Sequence, residues 1–183
     1  MRLVFLGRLV EHKGLHVAIA ALALVQTAVI LDVYGTPEQA VYLERCRKAA
    51  RELGSNVTVN FMGEVAPDLV RTVLAEYEAM VSPTRGENFG HVIAESLSTS
   101  CVVITSTTTP WTPVLEDGGG VAVDGLEPAR WAHAIDELGA LPSSDRLERR
   151  RLAGAAYERW RSAPKGEHVF TLVAHAADQM DGS

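Results

Sequence analysis

Long apolar runs are absent from this chain. No stretch approaches the ~20 residues that a membrane-spanning helix requires, and the first residues show no charged segment leading into an apolar one. A cytoplasmic protein without a signal peptide is therefore expected. Cysteine is scarce: Cys46 and Cys101 are the only two, far apart and not spaced as a ligand pair. That argues against a disulfide framework and fits a reducing compartment. Basic charge is also short, with 17 Lys and Arg against 23 Asp and Glu and a formal net charge of −6. A general nucleic-acid-binding surface is excluded on that balance, so an anionic small ligand would need a local basic pocket. Two familiar phosphate-binding signatures are missing as well. After the first apolar run, G-x-G-x-x-G would indicate a dinucleotide fold and G-x-x-x-x-G-K-[ST] a P-loop. The chain instead has "GRLVEHKG" at 7–14. Internal repeats and low-complexity segments are absent.

What remains is an ordinary globular composition, 47% hydrophobic and 22% charged over 183 residues, enough for one compact domain. Strand-like and helix-like segments alternate. Apolar or alternating runs at 2–7, 28–35, 56–63, 79–83, 102–106 and 119–124 predict strands. Segments 16–25, 37–54, 66–77, about His91 to Ser98, and 127–138 predict helices, with Pro37 expected at the start of the second. Short buried strands separated by helices imply a parallel sheet covered on both faces. The expected fold class is α/β, a doubly wound, Rossmann-like sheet of about six strands. Its ligand site should lie beyond the carboxyl ends of the strands. Residues 1–140 are read as this Rossmann-like domain. Residues 141–183 are read as a helical tail, a charged helix over 143–160 and a second over 168–180 carrying Val169, Phe170, Leu172 and Val173.

Candidate site residues collect at the predicted crevice. Arg8 ends the first strand and Lys13 precedes a helix, so both can point inward and hold a diphosphate; two solvated basic side chains are the alternative. The stretch "PTRGENFGHVIAESL" (83–97) places Thr84 to Gly90 in a loop after the fourth strand and a helix immediately beyond it. A helix N-terminus presents free N–H groups and partial positive charge to a phosphate. Glu95, one turn in from His91, is placed to accept hydrogen bonds from neighbouring ribose hydroxyls. Two acids, Glu87 and Glu95, beside an anion site make electrostatic sense only if hydroxyl-bearing groups lie against them. A sugar at one end and a ribose at the other would satisfy both.

Together, "GRLVEHKG", the E-x7-E motif from Glu87 to Glu95 and "TSTTTPWTPVLEDGGGVAVD" (105–124) resemble the donor-binding half of glycosyltransferase family 4, the retaining GT-B enzymes. The resemblance covers roughly residues 2–138. It implies that Arg8 and Lys13 bind the donor diphosphate and that Glu87 lies by the donor sugar, forming the catalytic group. It implies that Glu95 binds the ribose and that the backbone N–H groups of Phe89, Gly90 and His91, with Thr84 in the same loop, contact phosphate or sugar. The turn Gly63, Glu64, Val65 would flank the base. The implied reaction moves a sugar from a UDP- or GDP-linked donor with retained configuration, with no cofactor. No metal is expected, since no D-x-D-like acid pair sits in the crevice loops.

GT-B enzymes pair two Rossmann-like domains, and this sequence resembles the second. An N-terminal GT-B domain, or self-association through the apolar tail, is the expected partner. The chain alone is expected to be inactive in transfer. Lipid-linked acceptors are frequent in the family, which leaves peripheral association with the inner membrane face open. A non-catalytic nucleotide-sugar-binding or interaction domain is the competing class. Other features have plainer readings. His12 and His16 have metal-ligand spacing, but loop placement explains them. Trp111 and Trp131 are read as packing residues, with sugar stacking as the alternative for Trp111. The run "RLERRR" (146–151) is read as a solvated helix face, with phospholipid contact as its alternative.

Overall fold

The computed structural model describes residues 1–164. Within them, six parallel strands form one sheet: β1 (Arg2–Leu6), β2 (Val29–Tyr34), β3 (Val57–Gly63), β4 (Ala79–Ser82), β5 (Val102–Ser106) and β6 (Gly120–Val123), in the order β3-β2-β1-β4-β5-β6. Helices connect them: α1 (Leu15–Leu22), α2 (Ala40–Arg51), α3 (Val70–Ala75), α4 (His91–Ser98), the short α5 (Thr112–Val114), α6 (Pro128–Gly139) and α7 (Ser143–Ser162). The α/β doubly wound class is thus the observed one. Helices α1, α2 and α6 pack together as one layer, and α3, α4 and α7 as another.

Burial explains the strand sequences. β4 and β5 are buried at every position, and Leu3, Val4 and Phe5 of β1 are buried as well. These strands are covered on both faces, so they read as continuous apolar runs. β3 lies at the sheet edge and alternates between half-buried and exposed residues rather than being buried throughout. A buried carboxylate, Asp32 of β2, sits among the apolar strands. It accepts hydrogen bonds from Asn60 Nδ2 (2.8 Å), Tyr77 Oη (2.8 Å) and Arg2 (3.2 Å). Burial pushes its pKa up, but these three donors pull it down by more, so it lies below the usual carboxylate value. A buried charge held this way is satisfied.

Several helix boundaries differ from the periodicity. α1 ends at Leu22 rather than 25, and α2 starts at Ala40, leaving Pro37 in the preceding loop. The segment expected as one helix over 66–77 is a 3-10 turn, Pro67–Leu69, followed by the short α3. Local apolar spacing marks these segments as helical but does not say where tertiary contacts stop them. The helix expected over 168–180, with Phe170, Leu172 and Val173, lies outside the described residues.

α7 keeps Leu147, Glu148, Arg149 and Arg151 of the basic run exposed, as a solvated face requires, but turns Arg146 and Arg150 toward the body. Ala153 and Ala156 are buried in the core, and the helix packs along α4 and the turn that follows α5. Arg150 donates from Nε to Ser100 O (3.0 Å) and from a terminal nitrogen to Ala75 O (2.8 Å). It therefore satisfies carbonyls at the ends of α3 and of the turn after α4, where a cation also suits the helix dipole. Arg146 donates to Glu78 Oε1 (2.6 Å) and to the Leu141 carbonyl (2.5 Å). Two arginines of the run are thus tied to the body, whereas Arg151 is exposed and pairs with Glu148 on the same helix. Arg150→Ala should lower stability by about 1–2 kcal/mol in chemical denaturation. Arg151→Ala should change it by less than about 0.5 kcal/mol.

Candidate functional site

The strand order reverses between β1 and β4, and the loops after them part to leave a crevice of about 790 Å³. This is the switch point at which doubly wound sheets bind ligands. Glycine makes the closure possible. Gly14, at the head of α1, has φ +75°, and a Cβ there would run into the Pro83 carbonyl oxygen at the end of β4. The two loops then clasp through His12, whose ring Nε2 donates to Gly86 O (3.0 Å) while its own carbonyl accepts from Arg85 N–H (3.0 Å). His12 lines the crevice and was not among the residues expected from sequence. Only its contact across the loops reveals it.

The sequence-predicted charges meet in this space. Arg8, Lys13, Glu87 and Glu95 all line it. Lys13 Nζ lies 2.5 Å from Glu87 Oε1, with the side chains only 18% and 12% exposed. Arg8 stands farther out, exposed and paired with Glu38 at 3.3 Å. Glu95, half-buried on α4, makes no hydrogen bond or ion pair through its carboxylate among the described residues, which leaves it able to accept from ligand hydroxyls. Phe89, Gly90 and His91 also line the crevice, with the Phe89 and His91 rings 4.7 Å apart. The first intrahelical bonds of α4 come from Ile93 and Ala94 to Gly90 O, so the earlier N–H groups stay open toward the crevice.

Two expected contacts are not where the sequence put them. Thr84 is fully buried and does not line the crevice; its hydroxyl donates to Gly86 O (2.9 Å) and accepts from Gly86 N–H (3.3 Å). It shapes the loop instead of reaching a ligand, because its side chain faces the protein under the turn. Of the turn after β3, Glu64 and Val65 line the crevice and Gly63 does not. Gly63 is taken up by the sheet, where its carbonyl accepts from Gly35 N–H (2.8 Å). Trp111 is fully buried, which rules out sugar stacking.

The chain matches the family described as glycosyl transferases group 1 over residues 2–159. It belongs to that family. A D-inositol 3-phosphate glycosyltransferase of Corynebacterium jeikeium is 32% identical, over 73% of this chain and 34% of that protein. The GDP-mannose-dependent alpha-(1-6)-phosphatidylinositol monomannoside mannosyltransferase of Mycobacterium tuberculosis is 34% identical, over 98% of this chain and 47% of that one. The chain thus spans about a third to a half of the curated relatives it matches. Among solved structures, Anabaena HepE in complex with UDP and glucose superposes with a TM-score of 0.72 at 19% identity, over 100% of this chain and 48% of that one. The C-terminal domain of a group 1 glycosyl transferase from Francisella tularensis gives 0.72 at 15% identity, over 89% and 87%. At these identities the structural likeness shows the fold, the Rossmann-like α/β fold of GT-B proteins.

This glycosyltransferase-family chain carries no helix among its described residues that is long and apolar enough to cross a membrane. Among the same residues no group of three or more His, Cys, Asp or Glu is placed to hold a metal ion. His16, four residues after His12, serves another tie. Its backbone N–H donates to Tyr42 Oη (3.1 Å), and its ring Nδ1 lies 3.0 Å from the same oxygen. The Tyr42 hydroxyl thus ties the head of α1 to α2 through both the backbone and the ring of His16. Burial lowers the His16 pKa, Arg45 and Arg85 add to the lowering, and Glu11 opposes it. The unfolded chain therefore takes up the proton first. This contribution to stability is complete above the unfolded value of about 6.5 and is lost as pH falls through the lower folded value. The melting temperature of the wild type should drop as pH falls below about 6.5, and His16→Gln should flatten that slope in a pH-resolved thermal melt.

Proposed function

We propose that this chain is the donor-binding half of a retaining glycosyltransferase and holds a nucleotide diphosphate sugar in the crevice between β1 and β4. The observation that carries the reading is the convergence of Lys13, Glu87, Glu95 and the open end of α4 on one crevice at the sheet's switch point. Each group answers a part of such a donor. Glu95 accepts from the ribose hydroxyls, and Glu64 and Val65 flank the base. Lys13, Arg8 and the α4 end face the diphosphate, and Glu87 faces the sugar. The relatives support the donor class, since one is named as GDP-mannose-dependent and HepE binds UDP.

In the reaction, positive charge grows on the anomeric carbon as the diphosphate leaves. Groups aimed at the leaving group stabilise the state in which its charge is largest, and so raise rate rather than binding alone. The Lys13–Glu87 pair adds a constraint, because part of the ammonium's charge is directed at Glu87. An ammonium has three donors, so Lys13 keeps Glu87 in place while donating to a phosphate oxygen. Transfer also requires an acceptor held against the anomeric carbon. The Rossmann-like body presents one wall of that cleft, and an N-terminal GT-B domain supplies the other. By itself the chain binds donor without appreciable turnover.

Calorimetric titration with UDP and GDP, and then with UDP-glucose and GDP-mannose, tests the reading. Binding of at least one nucleotide diphosphate, retained in EDTA, is expected; no binding, or binding that appears only with Mg²⁺, would overturn it. Glu95→Ala should weaken the bound nucleotide about ten- to a hundredfold, the loss of charge-assisted hydrogen bonds. Glu87→Gln should leave or improve affinity for the bare nucleotide, because it frees Lys13, and should weaken the nucleotide sugar relative to it. The same change in both ligands would count against the division of roles. Robust transfer to acceptor by the chain alone would overturn the requirement for a second domain.

A further inference from the structure

Beyond Glu95 of α4, the crevice is lined by the turn after β3 and the start of α3, and α3 packs on α4. Glu64, Val65, Pro67 and Val70 are the lining residues of this end. The turn is anchored to the sheet. Gly63, at φ +82°, accepts through its carbonyl from Gly35 N–H (2.8 Å). A nucleotide with its diphosphate at the head of α4 and its ribose at Glu95 therefore brings its base to these four residues.

Val65, Pro67 and Val70 offer apolar surface, which suits the ring face of any base. Glu64 is the only charged side chain of the four; it is exposed, and its carboxylate makes no hydrogen bond or ion pair among the described residues. The other two carboxylates of the crevice are accounted for, Glu87 by Lys13 and Glu95 by the ribose. An ionised carboxylate only accepts hydrogen bonds. It favours a base that turns donors toward it and disfavours one that turns oxygens or bare nitrogens. Guanine alone among the common bases carries two adjacent donors on its pairing edge, N1–H and the 2-amino group. They match the two oxygens of one carboxylate, and such a paired, charge-assisted contact is stronger and more directional than a neutral bond. Uracil presents N3–H between two carbonyl oxygens, so a carboxylate there gains one bond and meets two like partial charges. Adenine and cytosine present one amino group beside a bare ring nitrogen, again an acceptor facing an acceptor.

We propose that Glu64 selects the base of the donor: it accepts from N1–H and the 2-amino group of guanine and rejects uracil, so the crevice takes guanosine diphosphate donors in preference to uridine diphosphate ones. The role rests on the crevice being a nucleotide diphosphate site. Glu64 touches the base and not the reacting atoms, so it sets which donor is held and leaves the transfer step to other groups.

Calorimetric titration of the full chain with GDP, UDP and inosine diphosphate tests the assignment. Inosine diphosphate keeps the purine ring and N1–H of GDP and lacks only the 2-amino group, so a difference between those two ligands is not one of stacking. The wild type should bind GDP about tenfold more tightly than UDP and about fivefold more tightly than inosine diphosphate. Equal affinity for GDP and UDP, or for GDP and inosine diphosphate, would overturn the proposal without any variant being made. Glu64→Gln sets a donor beside an acceptor, the pattern that complements N3–H and O4 of uracil. It should weaken GDP and strengthen UDP until the two bind within about threefold of each other. An unchanged ratio of GDP to UDP affinity in that variant would place the preference elsewhere and overturn the role of Glu64. A wild-type chain that binds none of the three would overturn the reading of the crevice, and the base role with it. That result is distinct from a crevice that binds the diphosphates without regard to base, which would overturn the role of Glu64 alone.

Discussion

Gly14 and Pro83 approach each other more closely than any side chain would allow, and the crevice is built around that approach. It brings the loop after β1 onto the end of β4 at the point where the strand order reverses. His12 then reaches Gly86, and Lys13 reaches Glu87. Replace the glycine and the β1 loop must lift, which would separate each of these pairs at once. A backbone contact, not a charge, therefore sets the geometry in which the charges operate.

Those charges are balanced among themselves. Lys13 and Glu87 neutralise each other in a shielded position, Arg8 pairs loosely with Glu38 at the rim, and the end of α4 contributes partial positive charge with no carboxylate bonded to its N–H groups among the described residues. Under the proposed function, this balance lets the crevice offer cations to a diphosphate and carboxylates to hydroxyls without repulsion between its loops. Removing one partner of a shielded pair leaves the other uncompensated, so the pair also couples the β1 and β4 loops.

The far side of the domain carries a parallel arrangement. α7 is rich in charge, yet Arg146 and Arg150 spend theirs on Glu78 and on carbonyls at the ends of other elements. The same helix delivers Trp160 to the back of Trp111. In this way the C-terminal part of the described chain supports the crevice through the loop after β5, although it contributes no lining residue.

The order of strands and helices was legible in the sequence because apolar runs and helical spacing are local consequences of burial, and six buried or half-buried runs separated by helices allow few folds. The gathering of Arg8, Lys13, Glu87 and Glu95 was legible too. In a parallel sheet every strand ends on the same side, so residues just past strand ends share a crevice wherever they lie in sequence. Side-chain direction and pairing were not legible. Thr84 turned under its loop through a local bond to Gly86, whereas Gly63 was taken into the sheet, Arg150 was drawn to helix ends and Trp111 was placed behind Phe89 by contacts between segments far apart in sequence. Sequence alone determined which chemistry stands at the mouth of the sheet, because topology carries strand ends to one place. Only the tertiary structure decided which atoms face the ligand and which hold the others, because that depends on how closely neighbouring loops pack and which buried donors must find acceptors.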